Sequence, residues 1–559
     1  MSMRMRSVVR FGWLAPLLFG LAACSGPGPA QAPAAAPSAG DAPGAATPAP
    51  PKVNRVVLAL EPQSLESNRP VDGDLAMRLI YERLLDVSTD NGKFVPSLAE
   101  KWNLEPDNTS FRFQLRKGVQ FHGGAGEFAA TDVKGTYEMI AASDATGTTP
   151  TYVKQTVREM EVVNPNEIIF RMKTPDSQFF EYISTQGQGS EVVSKKDLDQ
   201  RGMPKLIDRP LAGTGPYEYL AREVGQYIRY KRVDYKHWKL TPDFPELELR
   251  WVKEPSTRLA ALLTQEVHLA SLPEDLLQQA QKQGMTSIRG RVAAFRAVLN
   301  FHCCLAKDPW DPSAGYVNPN TPLADVRIRK ALNKAINRDE MNKALFGGKG
   351  EVIYNNPYHP TRPGWNPEWQ QRFQEAYGFD PAAAKALVAQ AGYGPGNPLK
   401  VNLVLQPARG LAGAADVVEA VGGYWRALGA DVSLITVTST NDLRNGPMDN
   451  HVVIWATSAS MWAGTANYGT ALIESNRIFG YGMPDADLVL KQIVGTLDPE
   501  KADPLWRQMG NIWFDKYKFI PLHYLPVEIA ANPKVVAGYV FPGSISTNWT
   551  HLQNLKAAR

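Results

Sequence analysis

Between Ser25 and Pro51, 22 of 27 residues are alanine, proline or glycine, and the only charged side chain is Asp41. Such a stretch has no large apolar groups to offset the entropy of ordering its backbone, so it is expected to stay a disordered tether. At about 3 Å per residue when extended, it would reach roughly 80 Å. A packed core is thereby confined to the 507 residues from Val53 to Arg559, enough for about two or three domains. Ahead of the tether, Arg4, Arg6 and Arg10 precede an apolar run from Phe11 to Ala23 that is too short to span a bilayer. That order reads as an export signal over residues 1–23, with 24–52 as the tether. The chain has 60 basic and 56 acidic residues, and without the three leader arginines 57 face 56. With no basic patch and no aromatic–basic interleaving, nucleic acid is not an expected partner.

Downstream, the hydrophobic pattern switches between the two regular periods. Arg55–Leu60 reads as a strand, Ala76–Leu85 as a short amphipathic helix, and Phe111–Leu115 as a half-buried strand. Val162–Val163 and Ile168–Met172 flank Asn164-Pro165-Asn166, a hairpin signal. Thr131 or Asp132 is placed to cap a helix running to about Ala142. In the second half, Ile328, Ala331, Leu332, Ala335 and Ile336 share one helical face, and Asp380-Pro381 reads as the cap and first residue of a helix closed by Gly392. Strands at Val401–Leu405 and Val432–Val437 bracket a helix from about Ala414 to Leu428, and a long helix near Pro499–Tyr517 precedes an apolar strand at Phe519–Ile529. This order implies α/β lobes on mixed sheets.

One stretch stands apart. From Val452 to Ile473 there is no charged side chain, and the β-branched run Val452–Ile454 gives way to Trp455, Ala456, Thr457 and Ser458, then Trp462, Asn467 and Tyr468. It is too rich in Thr, Ser, Gly and Asn to span a membrane. A strand ending in aromatic rings and small polar groups suits a ligand-facing wall; a core strand followed by a glycine-rich loop is the alternative.

Catalytic signatures are missing. No two of the eight histidines have metal-ligand spacing, and there is no HExxH, no GxSxG elbow and no phosphate-binding glycine loop. No metal, cofactor or enzymatic activity is expected. Cys303 and Cys304 are adjacent; their Cα atoms lie about 3.8 Å apart, below the usual disulfide range of about 4.4–6.8 Å, which favours two free thiols.

Several stretches resemble one family. The run from Pro96 to Trp102 (PSLAEKW), followed by Phe111 to Gly124 (FRFQLRKGVQFHGG), is similar to the N-terminal signature of extracellular solute-binding proteins of family 5, which serve peptide and nickel importers. Gly213–Tyr217 (GTGPY), Asp234-Tyr235 with Trp238, Pro255–Ala261 (PSTRLAA), Pro322–Met341 (PLADVRIRKALNKAINRDEM) and Ile520–Tyr524 (IPLHY) follow in the family's order. These motifs read as scaffold: turn glycines, and charges at Asp325, Arg327, Arg329, Arg338 and Asp339 that cap and pair along helices. Leu21-Ala22-Ala23-Cys24 resembles a bacterial lipobox, implying that Cys24 is lipidated.

The resemblance implies an α/β, two-lobed periplasmic-binding-protein fold whose mixed sheets flank an interlobe cleft. Lobe one would take 53–78, 207–298 and 520–559, with an added subdomain at 79–206, and lobe two 299–519. It also implies a monomeric receptor, lipid-anchored outside the cytoplasm, that hands an organic solute to the permease of an ABC importer. A signalling receptor of the same fold, or less readily a surface hydrolase, is the alternative. By family position, Trp455 aligns with a tryptophan that precedes a ligand-contacting aspartate in a W-x-x-D pattern, and Ser458 stands where that aspartate would be. Arg444 and Arg409 occupy loop positions where ligands approach, although a solvated loop arginine is the plainer reading of each. Tyr354, Arg362, Trp462 and Tyr468 are further candidates, with packing as the alternative, and His302 lies beside the cysteine pair at the entry to lobe two.

Overall fold

A computed structural model describes residues 53–559 except 63–65, 73, 89–92, 145–147, 186, 188, 305, 309, 312, 406–410, 412, 438–449, 459–481 and 540–550. Within it, two long strands organise the rest. β6 (Thr286–His302) and β11 (Phe519–Ala531) pair antiparallel along most of their lengths. The outer strands fall into two groups. On one side are β1 (Arg55–Leu60), β2 (Tyr217–Glu223), β3 (Tyr227–Arg232), β4 (Glu246–Trp251) and β5 (Leu269–Ala270). On the other are β7 (Glu351–Val352), β8 (Lys400–Leu405), β9 (Asp431–Thr436) and β10 (His451–Ser458). Among the described residues all eleven belong to one sheet in the order β9-β8-β10-β6-β11-β5-β1-β4-β3-β2, with β7 on β11. β1 runs parallel to β4 and β5, and β8 parallel to β9 and β10, while β6 is antiparallel to both its neighbours. The sheet is therefore mixed, as expected.

Two large cores sit on this sheet. One gathers Val56, Leu58, Phe113, Phe170, Tyr217 and Leu249 with Ile529 and Ala531, and the other gathers Phe295, Val298, Leu299, Phe301, Leu332, Trp369, Trp425, Ile454 and Trp513 with Ile520, Leu522, Leu525 and Val527. β6 enters the second core at Phe295 and β11 leaves it at Val527, so both strands cross from one core to the other. The β6–β11 register shifts between Arg289 and Ala293, where the crossing occurs; a bulge there bends and twists the strand.

Local sequence explains most elements. Val452–Ile454 is apolar without alternation because β10 is flanked by β8 and β6 and all three residues are buried. Asp325 caps Val326–Lys334 by accepting from the Arg327 amide, and Asp380 caps Pro381–Gln390. A four-stranded antiparallel sheet (Ala99–Leu104, Ser110–Leu115, Glu167–Met172, Val157–Asn164) includes the expected hairpin and packs Phe113 edge-on against Phe170.

Four readings are corrected. Ala76–Leu85 is not a helix: a short 3-10 turn spans Leu75–Leu79, and Leu85–Val87 is a strand. Its apolar residues Met77, Leu79, Ile80, Tyr81, Leu84 and Leu85 are all buried, leaving no solvent face for an amphipathic helix. The Ala130–Ala142 helix is capped at Ala129, and Asp132, three residues in, reaches back to accept from the Ala129 amide at 2.8 Å. Gly213 and Gly215 serve close approach, since a Cβ on Gly213 would collide with the Ile80 carbonyl and the Tyr81 ring, and one on Gly215 with the carbonyls of Leu79 and Ile80. Arg338 is a buried donor to other elements: it bonds Pro521 O at 2.7 Å and Tyr377 O at 2.9 Å, tying its helix to β11, and the buried Arg329 donates to the Leu323 and Ala324 carbonyls.

Candidate functional site

Where β6 and β11 cross, the second core and a smaller apolar cluster around Leu259, Leu262 and Ala530 border one recess. A cavity of about 80 Å³ is lined by Ser271–Glu274 and Leu277 from the first side, Phe346, Lys349 and Leu411 from the second, and Phe295, Leu525 and Glu528 from the crossing strands. Across it, Lys349 bonds Glu274 at 2.7 Å and Glu528 at 2.8 Å, and Ser287 on β6 donates to Glu528. Desolvation disfavours the Lys349 charge, but the two carboxylates outweigh it and hold the ammonium above its ordinary pKa. A second contact joins the sides elsewhere: the Ser177 amide and hydroxyl bond the Val494 carbonyl at the end of the Pro484–Gly495 helix.

The register of β10 fixes the positions of two candidates. Trp455 stands opposite Val298, Thr457 opposite Arg296 and Ser458 opposite Phe295. β11 continues these rows with Pro521 beside Val298, Tyr524 beside Arg296 and Leu525 beside Phe295. Ser458 is thus the last residue of β10 and shares a row with two residues that line the recess. Arg409, Arg444, Trp462, Tyr468 and Cys24 lie outside the described residues.

Of the other candidates, His302 is buried at the end of β6 opposite His451. Tyr354 packs edge-on against Trp365 and Phe373. Arg362 lies over the Tyr524 ring at 5.5 Å and bonds Pro357 O at 3.2 Å. It keeps part of its surface accessible although neighbours crowd it, as a group in a concavity does. Burial, with Arg296 nearby, holds its pKa below the usual guanidinium value. Arg296, fully buried, bonds Asn356 Oδ1 at 3.1 Å.

Sequence reasoning did not single out Lys349, Glu274, Glu528, Arg296 or Asn356, and it assigned Tyr524 to scaffold. Their only linear signal is Asn356-Pro357, a turn dipeptide five residues before Arg362. The expectation of free thiols is overturned: Cys303 and Cys304 form a vicinal disulfide, Cα atoms 3.8 Å apart and both side chains fully buried. The Cα spacing that argued against a bridge is met by local backbone adjustment, with Cys304 at φ 29°.

A larger cavity, about 400 Å³, lies away from the crossing strands, between His122–Ala125, Lys196–Arg201 and Arg209–Ala212. Its strongest donors are spent internally: Arg201 on Asp197 and the Pro210 carbonyl, and His122 Nε2 on the Gly215 carbonyl. Size alone does not make it the site, and the recess at the crossing strands has the better claim. Among the described residues no group of three or more His, Cys, Asp or Glu side chains is placed to hold a metal ion.

The fold and this recess define a two-lobed binding protein, and comparison with known proteins places it. Residues 93–511 match the family of bacterial extracellular solute-binding proteins, family 5 (middle region), and the chain belongs to that family. It is 26% identical over 383 residues to the dipeptide-binding protein of Escherichia coli K12, covering 64% of this chain and 66% of that one. It is 23% identical over 530 residues to di/tripeptide-binding protein 2 of Pseudomonas aeruginosa UCBPP-PA14, covering 89% and 93%. The crystal structure of the dipeptide-binding protein of Pseudoalteromonas sp. SM9913 with Met-Leu superposes with a TM-score of 0.74 at 21% identity, over 90% of this chain and all of that one. The two-lobed α/β architecture is thereby shown, and the relatives are binding proteins, not enzymes.

Proposed function

We propose that this protein captures an organic solute between its lobes and delivers it to an ABC importer, held at the membrane by lipid on Cys24. The observation that carries the reading is that the chain crosses between its cores along β6 and β11, with a recess at the crossing. A ligand touching both walls stabilises the closed arrangement selectively, and the importer responds to that state. In this reading lobe one comprises 53–78, 207–298 and 520–559 with the subdomain 79–206, lobe two comprises 299–519, and the protein acts as a monomer. Trp455, Ser458, Trp462, Tyr468, Arg409, Arg444, Tyr354, Arg362 and His302 are the candidate ligand contacts. Among the described residues no helix is long and apolar enough to cross a membrane, which agrees with anchoring through the N-terminus.

The relatives' names point to peptides, but Ser458 stands where peptide binders carry the aspartate that neutralises a free α-amino group. A buried ammonium without its partner charge costs about 3–5 kcal/mol, so simple di- and tripeptides are disfavoured against a glycoside, a modified peptide or an opine-like conjugate. Calorimetric titration with a mixed di- and tripeptide library tests this. Wild-type protein should show no micromolar binding, and Ser458→Asp should gain it. Micromolar binding by the wild type, lost when the peptides are N-acetylated, would contradict the reading of Ser458.

A further inference from the structure

The larger cavity, between His122–Ala125, Lys196–Arg201 and Arg209–Ala212, takes no part in capture at the crossing strands, and the charges around it do not balance. Its carboxylates are engaged: Asp197 accepts from Arg201 at 3.0 Å and from the Ala212 amide at 2.8 Å, and Glu218 pairs with Lys231 at 3.1 Å. Lys196 and Arg209 line the same cavity and are exposed, and among the described residues no carboxylate lies within ion-pair distance of either.

The loop that leads into Arg209 adds an apolar element. Its backbone is held from beneath by the fully buried Asn68, whose amide bonds the Leu206 carbonyl at 2.7 Å and whose Nδ2 bonds the Ile207 and Asp208 carbonyls at 3.3 and 2.8 Å. Arg201 holds the next two carbonyls, of Arg209 and Pro210. The Asp208 carboxylate is occupied by the Lys205 amide at 2.9 Å. What remains at the surface is Lys205, Leu206, Ile207 and Arg209, with the two apolar side chains 44% and 58% exposed. No other large apolar side chain among the described residues is as exposed as Ile207. A free loop would fold such a pair away from water; here the backbone bonds keep it out. Adjacent apolar tips flanked by cations suit a bilayer interface, where basic groups are drawn to anionic headgroups and apolar groups enter the acyl boundary.

We propose that this face docks on an anionic phospholipid surface, with Lys196 and Arg209 taking a headgroup phosphate at the cavity mouth and Leu206 and Ile207 entering the interface. The inference rests on the receptor reading for proximity alone: a tether of roughly 80 Å from Cys24 keeps the face within reach of a bilayer. A guanidinium fork matches phosphate oxygens bidentately, and the cavity of about 400 Å³ has room for a headgroup. A soluble phosphate would satisfy the cations but leave Leu206 and Ile207 in water. A lipid surface answers both.

The test uses the full chain carrying Cys24→Ala, which has no acyl chain, with vesicles of phosphatidylcholine alone or mixed with phosphatidylglycerol. Binding is read by co-sedimentation. Leader and tether are common to every variant, so differences between variants come from this face. The parent should prefer the phosphatidylglycerol vesicles, and the preference should fade as salt rises. Lys196→Gln with Arg209→Gln should weaken that binding about tenfold or more, since each cation near an anionic surface contributes about fivefold. Leu206→Ser with Ile207→Ser should weaken it about tenfold through lost apolar burial. All four side chains are exposed, so the urea midpoint should not move with either pair. Equal binding to both kinds of vesicle, or undiminished binding in either pair of substitutions, would overturn the proposal. So would tighter binding of inorganic phosphate, which would make the cavity a site for a soluble anion, or of polyglutamate, which would make the face a surface for an acidic protein. None of these outcomes bears on solute capture, and the anchor is scored separately by fractionation of Cys24→Ala.

Discussion

His523, on the crossing strand β11, makes the stability of the protein depend on pH in a calculable way. Its side chain is fully buried against Phe346, whose ring meets it edge-on at 5.6 Å, and neither ring nitrogen has a hydrogen-bond partner. Burial, reinforced by the Arg338 charge, pushes its pKa down to about 4. An unfolded histidine titrates near 6.5. Between these values the unfolded chain binds a proton that the folded chain refuses, so stability rises with pH over that window and is lost as pH falls from about 6.5 toward 4. From pH 7.5 to pH 5.0 the loss amounts to about 2 kcal/mol. The perturbation is His523→Leu, which removes the titration and two unsatisfied nitrogens at nearly constant volume. Urea unfolding of both proteins at pH 7.5 and 5.0 gives the comparison, because all other titrations are common to the pair. Wild type should lose about 2 kcal/mol more than the variant over the interval, and the variant should be at least as stable at pH 7.5. Equal losses would show that His523 is either solvated or partnered, and the reasoning from its burial would be refuted.

Other predictions follow from packing and charge. Lys349→Met leaves Glu274 and Glu528 facing one another across the recess; it should cost about 1–2 kcal/mol and enlarge the radius of gyration of the ligand-free protein in small-angle scattering. Gly510→Ala lies inside the Pro499–Asp515 helix, where alanine is intrinsically favoured by about 1 kcal/mol. Its Cβ would nevertheless collide with the Trp369 ring and come within 2.8 Å of Tyr358, so a net loss of about 1–2 kcal/mol should appear in thermal or urea unfolding. Cys24→Ala should move the protein from the membrane to the soluble fraction, since firm attachment requires more than one acyl chain; retention of the variant on membranes would remove the anchor from the account.

The strands and capped helices were legible because their signals are local. Alternation in Phe111–Leu115, the Asp380-Pro381 start and the uninterrupted Val452–Ile454 run each follow from a neighbour or two. Ala76–Leu85 was misread because its apolar side chains are buried on every side, and periodicity loses meaning without a solvent face. Of the candidate contacts, sequence put Trp455 and Ser458 at the end of a strand, and β10 includes both. Lys349, Glu274 and Glu528 are ordinary charged residues in sequence, separated by up to 254 positions, and only the crossing of β6 and β11 brings them together. Arg296 was hidden in a strand and Asn356 in a turn for the same reason: the row that unites Arg296 with Tyr524 is set by pairing between distant strands. The disulfide was missed because the usual Cα spacing was weighed without the unusual backbone conformation that Cys304 adopts, at φ 29°.

The central claim, reversible capture of an intact solute by the two lobes, is tested most directly by native mass spectrometry of the protein purified from its own cells without denaturation. The account predicts one small-molecule adduct per chain, released unchanged in mass on unfolding, whose readdition narrows the radius of gyration and restores the adduct. A chain that arrives without any adduct and takes up none from a cell extract, or one that returns a chemically altered molecule, would contradict it.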